Sequence, residues 1–287
     1  MNFEAYGNLK KEYNLVNDNT FKITSISKYF IIINDRNKLI ELIKILETEK
    51  IKYLVLGGGS NIILPSYYDG VIIKLDLKEV SIIDDKIKVE SGYYLNKLAI
   101  ETVNLGLKGL QWASGIPGQI GGSIVSNAGA HNYEIMQFVE KLEVLENNQI
   151  KIINKEDIEY SYRNTNLKGK IVLKAYLKLS HGNKEELLAE VKENTLRRTK
   201  TQPLEYPSVG SVFRNPPNNY AGKLIEDAGL KGYRIGGAEV SQKHANFIIN
   251  KDNATSEDII KLINHVHAQV LKIYNIDLTI EPEIVLK

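Results

Sequence analysis

The first 180 residues of this 287-residue chain predict an α+β fold. Three observations predict it: apolar positions at helical spacing in two segments, short β-branched runs between turn residues, and a hairpin pattern followed by an alternating strand. At residues 37–50, Leu39, Ile40, Ile43 and Leu46 recur at helical spacing, and 51–56 follows as a short apolar strand. That strand runs straight into Gly57-Gly58-Gly59-Ser60-Asn61. Residues 62–64, 71–75 and 80–89 are β-branched runs separated by turns such as Asp69-Gly70 and Asp84-Asp85. A helix at 94–105 places Leu95, Leu98, Ala99, Thr102 and Leu105 on one face, and Gly106 stops it. Residues 139–145 and 149–153 read as a hairpin, and 171–179 alternates as a strand.

Residues 184–199 form a charged helix ending in Arg197-Arg198, a basic end that suits the helix dipole. The stretch 201–217, rich in Pro, Ser, Gly and Asn, begins a new unit. Helices follow at 221–228 and 256–274. The second has Ser256 as its cap, Glu257 and Asp258 in its first turn, and Ile259, Leu262, Ile263, Val266, Val270 and Ile273 facing inward. Residues 247–250 and 278–280 read as strands.

The chain is long enough for one large domain or two to three smaller ones. A net charge of +2 leaves no cationic surplus for a nucleic-acid backbone, so a small-molecule partner is expected. The absence of cysteine excludes disulfides, thiolate metal sites, iron–sulfur clusters and cysteine nucleophiles. The N-terminal segment lacks the apolar core of a signal peptide, and no apolar run is long enough to cross a bilayer. A cytoplasmic protein with no membrane partner is the expectation.

Two glycine-rich segments stand out. GIPGQIGGSIVSNAGA, residues 115–130, has almost no side chain able to fill a core; it reads either as tight turns or as a cradle for a bulky ligand. The 57–61 turn offers convergent N–H groups with Ser60 and Asn61, yet fits neither the Walker nor the Rossmann fingerprint. Two such turns together suggest a diphosphate, and hence a dinucleotide bound outside a Rossmann fold. His265 and His267 lie two apart on a helix and cannot share a metal, so no metal site is expected. Ser211 reads as a turn former outside any G-x-S-x-G elbow, Arg163 as a surface charge or a carboxylate clamp, and Glu281 and Glu283 as acids of a terminal strand.

In order, LGGGSNI at 56–62, GIPGQIGGS at 115–123 with NAGA at 127–130, Tyr162-Arg163, the block 203–217, AGKLIEDAGLKGYRIGGAEVSQ at 221–242 with KHANFIINK at 243–251, and EPEIV at 281–285 form a series. The series closely resembles the UDP-N-acetylenolpyruvoylglucosamine reductase (MurB) family, in its shorter second type without an inserted tyrosine loop. The resemblance implies a two-subdomain FAD-binding fold of the vanillyl-alcohol-oxidase type plus a C-terminal α+β substrate-binding domain. The expected divisions are 1–78, to which the strand 278–287 is a candidate to return, then 79–185 and 200–277. It implies non-covalent FAD on Leu56, Gly57, Gly58, Gly59, Ser60, Asn61, Gly115, Ile116, Pro117, Gly118, Gly121, Gly122, Ser123, Asn127 and Gly129. NADPH is the implied hydride donor, and an enolpyruvyl UDP-sugar the implied substrate, reduced to UDP-N-acetylmuramate by a monomeric enzyme. By the same resemblance Arg163, Ser211 and Glu283 are catalytic. Tyr162, Arg214, Asn215, Lys223, Lys243, His244 and Asn246 sit where substrate contacts, or packing, are expected. The chain departs from the family wording at His131-Asn132, where Tyr-Gly is usual.

Overall fold

Residues 2–286 are described by a computed structural model, and they divide into two units. The first takes the residues up to Lys11, then Tyr29–Gly58 and Gly70–Leu196; the second takes Glu12–Lys28, Gly59–Asp69 and the residues from Arg197 on.

In the first unit Asp35 caps helix α1 (Arg36–Thr48) by accepting N–H bonds from Asn37 and Lys38. The helix buries Leu39, Leu42, Ile43 and Leu46 against Ile31, Ile33, Val71 and Ile73. These come from a four-stranded sheet in the order Asn8–Asn14, Ile26–Ile33, Tyr67–Leu75, Tyr53–Leu56, whose last pair is parallel with Tyr53 opposite Val71. A second core lies on a five-stranded antiparallel sheet, ordered Gln149–Asn154, Val139–Glu146, Ile171–Lys178, Lys86–Glu90, Val80–Ile83. Helix α2 (Leu95–Asn104), Trp112 and the short helix α3 (Ile120–Val125) complete that core. Helix α4 (Lys184–Thr201) carries one buried side chain, Leu187, so its charged faces meet water.

The Arg36 guanidinium ties α1 to the second sheet. It donates to Glu90 at 2.8 Å and Glu143 at 2.6 Å, and the Tyr176 hydroxyl adds a bond to Glu143 at 2.5 Å. Burial pushes the Glu143 carboxyl up, but the bonds from Tyr176 and Arg36 outweigh it and hold the group below its ordinary value.

In the second unit helices α5 (Ala221–Asp227) and α6 (Ser256–Tyr274) share a core with the antiparallel sheet Arg234–Ile235, Ala238–Val240, Ile248–Asn250. Phe21, Ile23 and Ile63 fill the same core. The terminal strand Glu283–Ile284 pairs in parallel with Ile62–Ile63. The units therefore cut across the three consecutive ranges expected from the sequence, because segments within 1–78 group with the C-terminal residues.

Several local expectations need correction. Asp69-Gly70 is no turn but lies inside the strand Tyr67–Leu75, whose place within the sheet overrides local turn propensity, and Asp69 reaches Lys28 at 2.8 Å. The cap of α6 is Thr255, which accepts from the Asp258 N–H while Asp258 accepts from the Thr255 N–H; Ser256 is the buried first helical residue. Leu105 and Ile273, expected inward, are exposed: Leu105 is the C-cap of α2, and Ile273 sits in the last turn of α6. Residues 278–280 form no strand, only a bridge from Ile280 to Phe213.

Candidate functional site

The strand Tyr53–Leu56 delivers the chain into Gly57 and Gly58, which lie against the second glycine-rich run. A Cβ on Gly58 would sit 2.8 Å from Gly118 Cα, and one on Gly57 would sit 3.9 Å from Gly122 Cα. Only glycine backbone allows the 58–118 approach. Gly122 is exposed, and a Cβ there would meet nothing within 4 Å. The two turns thus meet backbone to backbone, and Gly122 beside them leaves an open floor of glycine. Lys74, which no sequence signal marked, donates from Nζ to Gly57 O at 2.7 Å. The Ser91 and Ser114 hydroxyls beside the second run are buried without a protein partner. Open glycine floor, orphaned hydroxyls and a nearby ammonium fit the diphosphate of an FAD.

Not every expected contact is free for it. The Ile120 and Gly121 N–H groups donate to Tyr93 O and Ser91 O, both at 2.9 Å, so the start of α3 is already satisfied. Ser123 turns its hydroxyl into its own helix, onto Gln119 O at 2.9 Å. Leu56 is buried beneath the turn, Ile116 packs on the core, and Gly115 and Pro117 are exposed. Gly59, Ser60 and Asn61 belong to the second unit, where Thr20 N–H donates to Gly59 O at 3.0 Å and Glu283 N–H to Asn61 O at 3.0 Å.

Asn127 is a fully buried hub rather than an open contact. Its amide donates to Glu134 at 2.7 Å and to Ser161 O at 2.9 Å. Arg163 sits at the tip of the hairpin Tyr160–Ser161 to Asn164–Thr165 with a left-handed φ of 57°. It donates to Gly129 O at 2.5 Å and Asn127 O at 3.5 Å, and its guanidinium lies 5.3 Å from the Tyr162 ring centroid. An arginine held in a conformation that L residues avoid, with its charge placed by two backbone carbonyls, is a preset cation. The unusual His131-Asn132 pair is also explained. Both residues have positive φ, 54° and 66°, as the two-residue turn between Gly129–Ala130 and Tyr133–Glu134 requires.

In the second unit Ser211 lies on an extended segment bonded along both sides. Val212 N–H donates to Asn246 O at 2.8 Å, Phe213 N–H donates to the Asn246 side-chain oxygen at 3.0 Å, and Glu281 N–H donates to Val212 O at 2.8 Å. Ser211 itself bridges to Phe247. Its half-buried hydroxyl has no hydrogen-bond partner among the described residues. The Glu281 bond brings the segment leading to Glu283 beside it, and Glu283 is exposed. Tyr68, missed in the sequence, is buried, and burial together with the Glu283 charge pushes its hydroxyl up to about 12.

The remaining expected residues divide. The Arg214 Nε is buried without a hydrogen-bond partner among the described residues, so this guanidinium has capacity for an anion. Asn215 accepts the first N–H of α5, from Ala221 at 3.1 Å. Lys223 pairs with Asp227 at 2.7 Å, and Lys243 donates to Thr199 O at 2.7 Å. Tyr162 is exposed beside the Arg163 guanidinium, whereas the Asn246 side chain is spent on Phe213 N–H and O. Half-buried His244 accepts the Asn246 N–H on Nδ1 at 3.2 Å.

Residues 27–149 match the family described as FAD binding domain, and residues 202–285 match UDP-N-acetylenolpyruvoylglucosamine reductase, C-terminal domain. A protein of that name from Caldanaerobacter subterraneus subsp. tengcongensis is 45% identical over 271 residues, covering 93% of this chain and 90% of its own. Another from Caldicellulosiruptor bescii is 41% identical over 281 residues, covering 96% and 89%. The crystal structure of the MurB reductase from Thermus caldophilus superposes with a TM-score of 0.84 at 31% identity, covering 97% of this chain and all of that one. With whole-chain relatives at this identity, and with both halves matched in order, the chain belongs to the UDP-N-acetylenolpyruvoylglucosamine reductase family.

Proposed function

We propose that this chain is the FAD- and NADPH-dependent reductase that converts the enolpyruvyl ether of UDP-N-acetylglucosamine to UDP-N-acetylmuramate in peptidoglycan precursor synthesis. The observation that carries the residue roles is Ser211: a hydroxyl without a protein partner, on backbone fixed from both sides, beside the segment that leads to Glu283. Bound FAD supplies the hydride that NADPH provides. Gly57, Gly58, Gly118 and Gly122 would hold its diphosphate, with Lys74 adding positive charge. The cores around α1 and α2 belong to the two flavin subdomains, and the core shared by α5 and α6 to the substrate domain, which also takes in Phe21, Ile23 and Ile63.

Hydride addition at C3 of the vinyl group drives negative charge toward C2 and the adjoining carboxylate. Arg163 stabilises that end, its fixed charge needing no reorganisation as the negative charge develops, and Glu283 polarises and orients it. Ser211 gives its proton to C2. A serine hydroxyl is a very weak acid, and it transfers here because the accepting carbon is strongly basic. Arg214, through its unpartnered Nε, takes a substrate anion, with Tyr162, Asn215 and Lys223 alongside. The enzyme works as a cytoplasmic monomer.

The test is the visible spectrum of the purified protein together with NADPH consumption, with and without the enolpyruvyl sugar nucleotide. A flavin spectrum and sugar-dependent NADPH loss are expected. A colourless protein without a flavin requirement, or NADPH loss that ignores the sugar and follows oxygen, overturns the reading. Ser211→Ala is expected to leave flavin reduction by NADPH intact and to slow reoxidation by substrate by roughly 10²- to 10⁴-fold.

A further inference from the structure

We infer that His244 is a positioning residue for Ser211, acting through Asn246 as a proton-sensitive clamp; this rests on Ser211 being the proton donor. The chain of bonds is continuous. His244 Nδ1 accepts the Asn246 N–H at 3.2 Å, which fixes the other ring nitrogen as the protonated one. Asn246 then grips the Ser211 segment at three points: its side-chain oxygen takes Phe213 N–H at 3.0 Å, its amide gives to Phe213 O at 2.8 Å, and its carbonyl takes Val212 N–H at 2.8 Å. Asn246 is 4% exposed, so none of these bonds has water as a ready substitute. Both functions of its side chain are consumed by one backbone residue two positions from Ser211. The expectation of Asn246 as a substrate contact therefore gives way to a role in holding the donor.

Protonating His244 turns Nδ1 into a donor facing the Asn246 N–H, and the clamp loses its acceptor. The ring sits among the Phe247 ring at 4.7 Å, Gly222 of α5, and the charges of Glu226 and Lys231. Lys223 and Asp227 of α5 neutralise one another, and Lys243 is turned onto Thr199 O. Burial, with Lys231 against Glu226, keeps the imidazole below its ordinary value and hence neutral in the working range.

Stopped-flow reoxidation of the reduced holoenzyme by saturating substrate, from pH 4.5 to 8, tests this. The wild-type rate is expected to fall as pH drops below the ordinary histidine value of about 6.5, while flavin reduction by NADPH shows no matching limb. His244→Asn keeps a neutral acceptor near Nδ1 and is expected to restore reoxidation at acidic pH, removing the limb. His244→Phe lacks the acceptor and is expected to lose about tenfold or more in reoxidation rate, with substrate affinity within about threefold. A flat wild-type profile, an acidic limb that persists in His244→Asn, or a His244→Phe defect confined to affinity overturns the inference. If Ser211→Ala itself reoxidises normally, the failure belongs to the proton-donor assignment instead.

Discussion

Gly122→Ala separates folding from cofactor binding, because the two effects have opposite signs. Gly122 lies inside α3 with a right-handed backbone, and a Cβ there meets nothing within 4 Å, so the apoprotein has no clash to absorb. Replacing a helical glycine with alanine stabilises by about 1 kcal/mol. The apoprotein is therefore expected to melt about 2 °C higher. The same methyl projects from the open floor of the glycine surface proposed to hold the diphosphate, and overpacking of that kind costs about 1–3 kcal/mol. FAD is thus expected to bind about 5- to 150-fold more weakly. Apoprotein thermal unfolding and a flavin-fluorescence titration measure the two numbers on one sample. Gly58→Ala is the control of opposite kind: its Cβ lies 2.8 Å from Gly118 Cα, so the apoprotein itself should lose about 1–3 kcal/mol. A Gly122→Ala protein that melts higher yet binds FAD with unchanged affinity would refute the cradle.

Arg163→Lys keeps the charge but cannot hold both the Asn127 and Gly129 carbonyls, so turnover is expected to fall at least tenfold with about 1–2 kcal/mol of stability, read by steady-state rates and thermal unfolding. Arg36→Ala removes the cationic partner of Glu90 and Glu143, leaving them the Glu79 N–H and the Tyr176 hydroxyl, and should cost about 3 kcal/mol in chemical denaturation. Because Glu143 is held below its ordinary value, its contribution is complete above about pH 4.3 and lost as pH falls through the depressed value; Arg36→Ala should flatten that acidic loss. Thr255→Ala removes one half of the α6 capping box and should lower stability by about 1 kcal/mol without changing flavin content, measured by thermal unfolding and absorbance.

What was legible in the sequence follows from which forces act locally. The periodicity of Leu95, Leu98, Ala99 and Thr102 marks the buried face of α2 because side-chain spacing alone decides it, and all four are buried. Glycine runs at 57–59 and 115–122 were legible as special because small residues leave a compositional mark, though their contact with each other is tertiary. The strand Asn8–Asn14 left no pattern: it is an edge strand of mostly Lys, Asn and Glu, held by pairing with the next strand, Ile26–Ile33. The motif order pointed to Ser211, Arg163 and Glu283, but not to how they are set. The left-handed φ of Arg163 and the three-point grip of Asn246 depend on partners 33 to 36 residues away, which no local signal carries. Lys74 and Tyr68 were missed for the same reason: Lys74 reads as an ordinary residue of the run 71–75, and Tyr68 falls between two runs, beside the expected turn.

The parallel pairing of Glu283–Ile284 with Ile62–Ile63 joins positions some 220 residues apart in the chain, next to the Asn61 carbonyl. During synthesis the segment after the first glycine turn must wait for residues some 220 positions later to emerge before its hydrogen bonds can close. Domains otherwise tend to fold in order from the ribosome, N-terminal part first. Here the second unit draws on Glu12–Lys28 and Gly59–Asp69 as well as the C-terminal residues, so the nascent chain carries those early segments unfinished. A premature stop before Glu283 would leave both a missing carboxylate and an unpaired strand edge at Ile62–Ile63, a product marked for aggregation or proteolysis rather than for partial activity.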